Sequence, residues 1–176
     1  SIGPKNVELT AEIADGWLPL GLVPENFDTY KPWIDAGLEK AGKTSDSFEC
    51  QAMSNVIITD DVKAGLDRMK PGIALYVGGM GHKSKNFHKE MMVRRGFGDA
   101  AERIQELYLA KRKDEATAAV PDEFVDQGAL VGNKARIQKR FRDWEDSGIT
   151  GLTISGDEQA LRLMAEVARL NVEPGV

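Results

Sequence analysis

Cysteine is almost missing from this 176-residue chain: Cys50 stands alone and can close no internal disulfide, which fits a reducing, cytoplasmic setting. Histidine is scarce too. With His82 and His88 the only imidazoles, the chain falls short of a zinc-type ligand set, and no metal is expected. No apolar run approaches the length that crosses a bilayer, and no charged head followed by an apolar stretch opens the chain, so neither a membrane partner nor a secretory leader is expected. A basic excess is also lacking. Lys plus Arg number 23 against 28 Asp plus Glu, a formal charge of −5, and the bases are scattered, which speaks against nucleic acid as a partner. Repeats and low-complexity tracts are absent. What remains is ordinary for a globular protein: 41% hydrophobic and 29% charged residues, enough for a single domain over 1–176 with a real core.

The chain is organised around its first twenty residues. Gly3 permits a turn, and Pro4 is pre-set for the first turn of a helix, where its missing N–H costs nothing. Val7, Ala11 and Ala14 then recur at helical spacing, Asp15-Gly16 stops the helix, and Trp17 to Leu20 reads as a short buried strand. A glycine turn feeding a helix start offers N–H groups and the positive end of a dipole, which suit a phosphate or carboxylate. The same residues also serve as plain capping chemistry.

Phe27, Tyr30, Ile34 and Leu38 predict a surface helix ending at Gly42, and Phe48 to Thr59 a strand with the β-branched run Val56-Ile57-Ile58. After Asp60-Asp61 the pattern turns helical and stays so. Val62, Leu66 and Met69 open it, and Pro71-Gly72 either kinks the helix or divides it in two. Gly78 to Asn86 is the least regular part, with His82, Lys83, Ser84 and Lys85 making a cationic loop before a helix that begins at Asn86-Phe87-His88. Two readings stand: a lid meeting an anionic ligand, or a solvated loop with Phe87 and Met91 facing the core. Further helices follow Asp99, Asp114, Pro121 and Asn133, and Ile149 to Ser155 is a strand before a last helix from Asp157. The span 60–148 thus reads as one helical excursion between the last two strands.

Strands near Trp17, Phe48 and Ile149, each followed by helix, predict parallel β-α units. A closed barrel of that type needs eight strands and typically about 250 residues, so this chain is too short to be one. Three stretches resemble the bacterial luciferase-like flavin and deazaflavin oxidoreductases: Ile2-Gly3-Pro4-Lys5-Asn6 through Trp17, Ala74 to Phe87 with Ile104 to Val125, and Leu130-Val131-Gly132 to Leu152. The middle stretch is similar to the branch using coenzyme F-420, including methylenetetrahydromethanopterin reductase-like members. The chain departs from the family's ending, often Gly-Thr-Pro, by reading Gly132-Asn133-Lys134, which keeps the helix cap.

This resemblance implies an α/β fold: the C-terminal half of a (β/α)8 TIM barrel, helix-rich with about three parallel strands. It implies an oxidoreductase passing a hydride between coenzyme F-420, or alternatively FMN, and a small organic substrate. Ser1, Ile2, Gly3 and Pro4 would contact the cofactor's phosphate-bearing tail, and Gly79, His82, Lys83 and His88 would belong to a substrate rim or lid. No catalytic residue carries over, because the half of the family barrel that bears much of the ring-binding apparatus is not in this sequence. A half-barrel leaves bare strand edges, so a homo-oligomer or association with the missing N-terminal half is expected. A non-catalytic cofactor-binding or assembly half-barrel is the remaining alternative.

Overall fold

The structure, a computed structural model, describes residues 2–82 and 84–170. It divides into two compact units, one formed by 1–60 with 128–176 and the other by 61–127. The first unit holds the sheet. Helix α1 (Pro4–Ile13) leads to strand β1 (Gly16–Trp17), then α2 (Phe27–Ala41) and strand β2 (Glu49–Ile58). The chain returns to this unit with β3 (Ala129–Gly132), α9 (Lys134–Glu145), β4 (Gly151–Ser155) and α10 (Glu158–Val167).

Among the described residues, all pairings between these strands are parallel and all involve β2. Glu49 and Cys50 pair with β1, Gln51 to Asn55 with β4, and Asn55 to Ile58 with β3. Because Asn55 is in register with both Ala129 and Ser155, β3 and β4 must flank β2 on opposite edges. Successive residues of a strand aim their backbone groups at alternate edges. Thr150 N donates to Cys50 O (2.8 Å) whereas Glu49 N donates to Asp15 O (3.0 Å), so β1 lies on the edge opposite β4, in line with β3. In β2 the even positions Cys50, Ala52, Ser54 and Val56 are buried, the period that the strand geometry requires. The one polar member, Ser54, donates to Gly128 O at 3.2 Å.

Three details differ from the sequence reading. The first strand is shorter than Trp17–Leu20, because Pro19 brings no ladder donor; Leu18 and Leu20 are exposed. Strand β3 interrupts what reads as unbroken helix: four buried residues are too few to show a period. The last strand begins at Gly151, after Thr150 has bonded Cys50 by side chain and backbone. The core of this unit includes Val7, Trp17, Tyr30, Ile34, Leu38, Phe48, Val56, Leu130, Ile137, Trp144 and Met164.

The second unit is helical: α3 (Val62–Asp67), α4 (Lys70–Gly79), α5 (Phe87–Arg94), α6 (Gly98–Leu109), α7 (Lys113–Ala118) and α8 (Asp122–Gln127). Of the two outcomes open at Pro71, division is the one realised, with the proline in the first turn of α4, where its missing N–H is harmless. Leu66, Ala74, Val77, Met92, Ile104, Leu107, Val120 and Phe124 are buried. Lys70 is buried among carboxylates, pairing with Asp67 at 2.7 Å and with Asp122. Burial alone would lower its pKa, but the hydrogen bonds to Asp122 and Asp67 prevail and raise it, so the ion pairs tie α4 to α3 and α8.

Candidate functional site

The expected site residues fall into two groups, Ile2 to Pro4 in the first unit and Gly79 to His88 in the second. Ser1 and Lys83 lie outside the described residues.

At the first group, α1 begins with no side-chain cap and no acid in its first turn. Gly3 is the N-cap residue, and its carbonyl accepts from Asn6 N (3.0 Å) and Val7 N (2.9 Å). Its φ of −94° is open to any residue, and a Cβ built on it would meet nothing within 4 Å. Neither backbone conformation nor packing inside the chain therefore calls for a glycine here. An uncapped helix start beside open space has the chemistry to take an anion through main-chain N–H groups. The residues present thus fit a phosphate-bearing tail.

In the second group, α4 runs through Gly79 instead of ending at Gly78. The two glycines are there for a close approach: a Cβ at Gly79 would stand 2.5 Å from the Tyr108 ring, and one at Gly78 would collide with the same side chain. Gly79 is thus a helix-packing residue as well as the last residue before the loop. Gly81, at φ +145°, turns the chain, and His82 and Lys85 close the loop by a bridge in which Lys85 N donates to His82 O at 2.9 Å. His82 Nδ1 lies 2.8 Å from Ser84 Oγ. Gly81, His82, Ser84 and Lys85 are all exposed.

Asn86 organises this region, and sequence reading recognised only that it starts a helix. Its Oδ1 caps α5 by accepting from His88 N (2.9 Å) and Lys89 N (3.1 Å). Its Nδ2 donates to Tyr76 O (3.0 Å) and Val77 O (2.8 Å), two carbonyls near the end of α4. One buried amide so fastens the end of one helix to the start of the next. The only sequence signal for it is an asparagine at an N-cap. The His88 ring packs edge-on to Tyr76 at 4.7 Å between centroids, and partial burial holds its pKa below the ordinary histidine value, leaving it neutral near pH 7. Phe87 is the correction here: the helical spacing that pairs it with Met91 predicts both inside, but only Met91 is buried. As the first residue of α5, Phe87 projects from the exposed end of the helix.

An open groove of about 590 Å³ runs along α5, lined in part by Ser84, Asn86, Lys89, Arg94 and Glu102. Lys89 in it is committed to Glu102 (2.7 Å) and Gln105 (2.9 Å). Among the described residues no group of His, Cys, Asp and Glu could hold a metal ion, and no helix is long and apolar enough to cross a membrane. Burial pushes the Cys50 thiol up to about 11, so it is a packing residue of β2 and not a nucleophile.

The sequence profile of the family described as luciferase-like monooxygenase matches residues 1–151. A Mycobacterium tuberculosis protein named as a coenzyme F-420-dependent oxidoreductase is 39% identical over 166 residues, covering 93% of this chain and 48% of that protein. The 5,10-methylenetetrahydromethanopterin reductase of Archaeoglobus fulgidus is 29% identical over 153 residues, covering 84% and 44%. Among solved structures, the coenzyme F-420-dependent tetrahydromethanopterin reductase of Methanopyrus kandleri superposes with a TM-score of 0.74 at 20% identity, over 98% of this chain and 50% of that one. An F-420-dependent secondary alcohol dehydrogenase in complex with an F-420-acetone adduct gives 0.63 at 14% identity, over 94% and 45%. These superpositions show the fold, and the chain spans about half the length of the curated relatives it matches.

Proposed function

The chain belongs to the luciferase-like monooxygenase family, and from that premise we propose that it is the C-terminal half of a cytoplasmic coenzyme F-420-dependent oxidoreductase acting on a small organic substrate. The observation that carries the reading is Gly3, a glycine at an uncapped helix start that nothing in the chain's own packing demands. The Mycobacterium tuberculosis relative named for coenzyme F-420 supports the choice of cofactor. When bound, the deazaflavin supplies a centre that gives or accepts a hydride. Ile2 and Gly3 hold its phosphate-bearing tail by main-chain N–H groups at the positive end of α1, whose first turn Pro4 sets. The helical unit 61–127 carries the substrate rim, with Gly79, His82 and His88 in it. Neutral His88 can accept or return a proton there.

The far edge of β4 pairs with no strand among the described residues, and Leu9 and Ile13 on α1 and Leu161 on α10 are exposed. On this reading those surfaces are covered by the other half of the barrel or by a second copy of the chain. Sedimentation that gives a monomer at every concentration would count against such association.

Fluorescence titration of the chain with coenzyme F-420 and, separately, with FMN tests the cofactor. Saturable binding of coenzyme F-420, tighter than FMN and weakened about tenfold by Gly3→Val, is the expected outcome. Circular dichroism checks that the variant keeps its helices. Tighter binding of FMN, or indifference to the substitution at Gly3, sinks the reading.

A further inference from the structure

Along the seam between β2 and β4 the sheet is covered on one face only. In β2 the even positions are buried, and in β4 Leu152 and Ile154 pack against the same core. The odd positions turn the other way, and across the seam they stand in register: Gln51 beside Gly151, Met53 beside Thr153, Asn55 beside Ser155. Residues paired in this way share a face and lie about 5 Å apart. Met53, Asn55, Thr153 and Ser155 are all exposed.

The three rows are not equivalent. In the lowest, toward the start of both strands, the Gln51 side chain lies 3.2 Å from where a Cβ on Gly151 would stand, and its Nε2 donates to Glu49 Oε2 at 2.9 Å. That amide is occupied. In the top row the side chains of Asn55 and Ser155 bond to nothing among the described residues. This row stands near the C-terminal ends of two parallel strands, the end at which α/β barrels carry their sites, in an interior otherwise filled by bulky branched side chains. An amide beside a hydroxyl fills such an interior poorly, but it makes a good pair of hydrogen-bonding groups.

Charge narrows the occupant. None of the six residues is ionisable, so a carboxylate or phosphate finds no counter-charge on the seam. The first acid after β4, Asp157, is engaged as the cap of α10, accepting from Ala160 N at 2.8 Å, which leaves little for an amine. Position narrows it again. Gly3 opens α1, α1 leads into β1, and β1 runs along the edge of β2 opposite β4. The seam thus lies across β2 from the residues assigned to the coenzyme's tail, and it is free for the substrate.

We infer that Asn55 and Ser155 receive the polar group of the substrate and select an uncharged one, with Met53 and Thr153 in the row below its apolar part. This rests on the reading of the chain as half of a coenzyme-dependent oxidoreductase and names the substrate class of that enzyme: a neutral carbonyl or hydroxyl compound, which both side chains can meet as donor or as acceptor.

The test is a nuclear magnetic resonance titration of the isotope-labelled whole chain with benzyl alcohol and acetophenone, beside benzoate and benzylamine. The neutral probes should shift the Asn55 side-chain amide and the Ser155 main-chain amide saturably. Asn55→Leu and Ser155→Ala should each weaken that binding about fivefold, read at the main-chain amides, whereas Ser155→Thr, which keeps the hydroxyl, should restore it. Both positions are exposed, so the fold should persist, with circular dichroism as the check. Benzoate or benzylamine moving the same resonances as strongly, neutral probes leaving them still, or shifts that ignore Asn55→Leu and Ser155→Ala alike overturn the inference. Coenzyme F-420 titration of the same samples keeps the two ideas apart. Coenzyme binding without a response to the neutral probes defeats only the substrate class; no coenzyme binding at all defeats the function on which it rests.

Discussion

Asn86 makes four hydrogen bonds with one amide and is almost wholly buried. Asn86→Ala leaves two carbonyls and two N–H groups without it, and should cost about 1–3 kcal/mol in urea denaturation. Asn86→Asp keeps the cap acceptor but turns a carboxylate toward two carbonyl oxygens, so it should also destabilise, and less at low pH. His88 makes a second residue-scale prediction. Its folded pKa lies below the unfolded value of about 6.5, so the unfolded chain binds the proton first. Stability should therefore fall as pH drops through about 6.5, and His88→Gln should flatten that part of the profile measured by denaturation across pH 5–8. Gly3 and Pro4 were legible as a helix start because their backbone preferences are local. The role of Asn86 was not, since its partners Tyr76 and Val77 are brought near only by the fold. Phe87 was misread because helical spacing says which side chains share a face and not whether that face is covered.

At the scale of elements, glycines separate cleanly by what surrounds them. In α2, a Cβ at Gly37 would stand 2.8 Å from Ala11 Cβ and press into the Glu8 carbonyl oxygen, so α1 and α2 touch backbone to side chain here. Gly37→Ala gains up to about 1 kcal/mol of helix propensity, but forcing the helices apart costs roughly 1–3 kcal/mol. The clash should win, giving a lower thermal midpoint. Gly72→Ala is the opposite case. Nothing lies within 4 Å of its Cβ, and the substitution should raise stability by up to about 1 kcal/mol. Long amphipathic helices such as α2 and α9 were legible from their spacing, as were the caps at Asn133 and Asp157, both of which accept from the third N–H onward. Strand β3 was hidden because Ala129–Gly132 is buried on both faces and too short for alternation to show.

At the scale of the molecule, the parallel α/β architecture followed from strands separated by helices. The resemblance in the opening stretch, not periodicity, is what led the sequence reading to a C-terminal half-barrel. What arithmetic on strands did not reveal is that β2 carries every pairing in the sheet, β1 and β3 along one edge and β4 along the other. Its amides should be among the slowest to exchange in deuterium oxide, slower than those of β4, and equal rates would contradict a central role for β2.

That arrangement has a practical corollary. Strands β1 and β2 lie before Asp60, β3 and β4 after Gly128, and two of the three seams join one stretch to the other. Peptides 1–60 and 128–176, mixed without a covalent link, should therefore find each other by fragment complementation and rebuild the sheet.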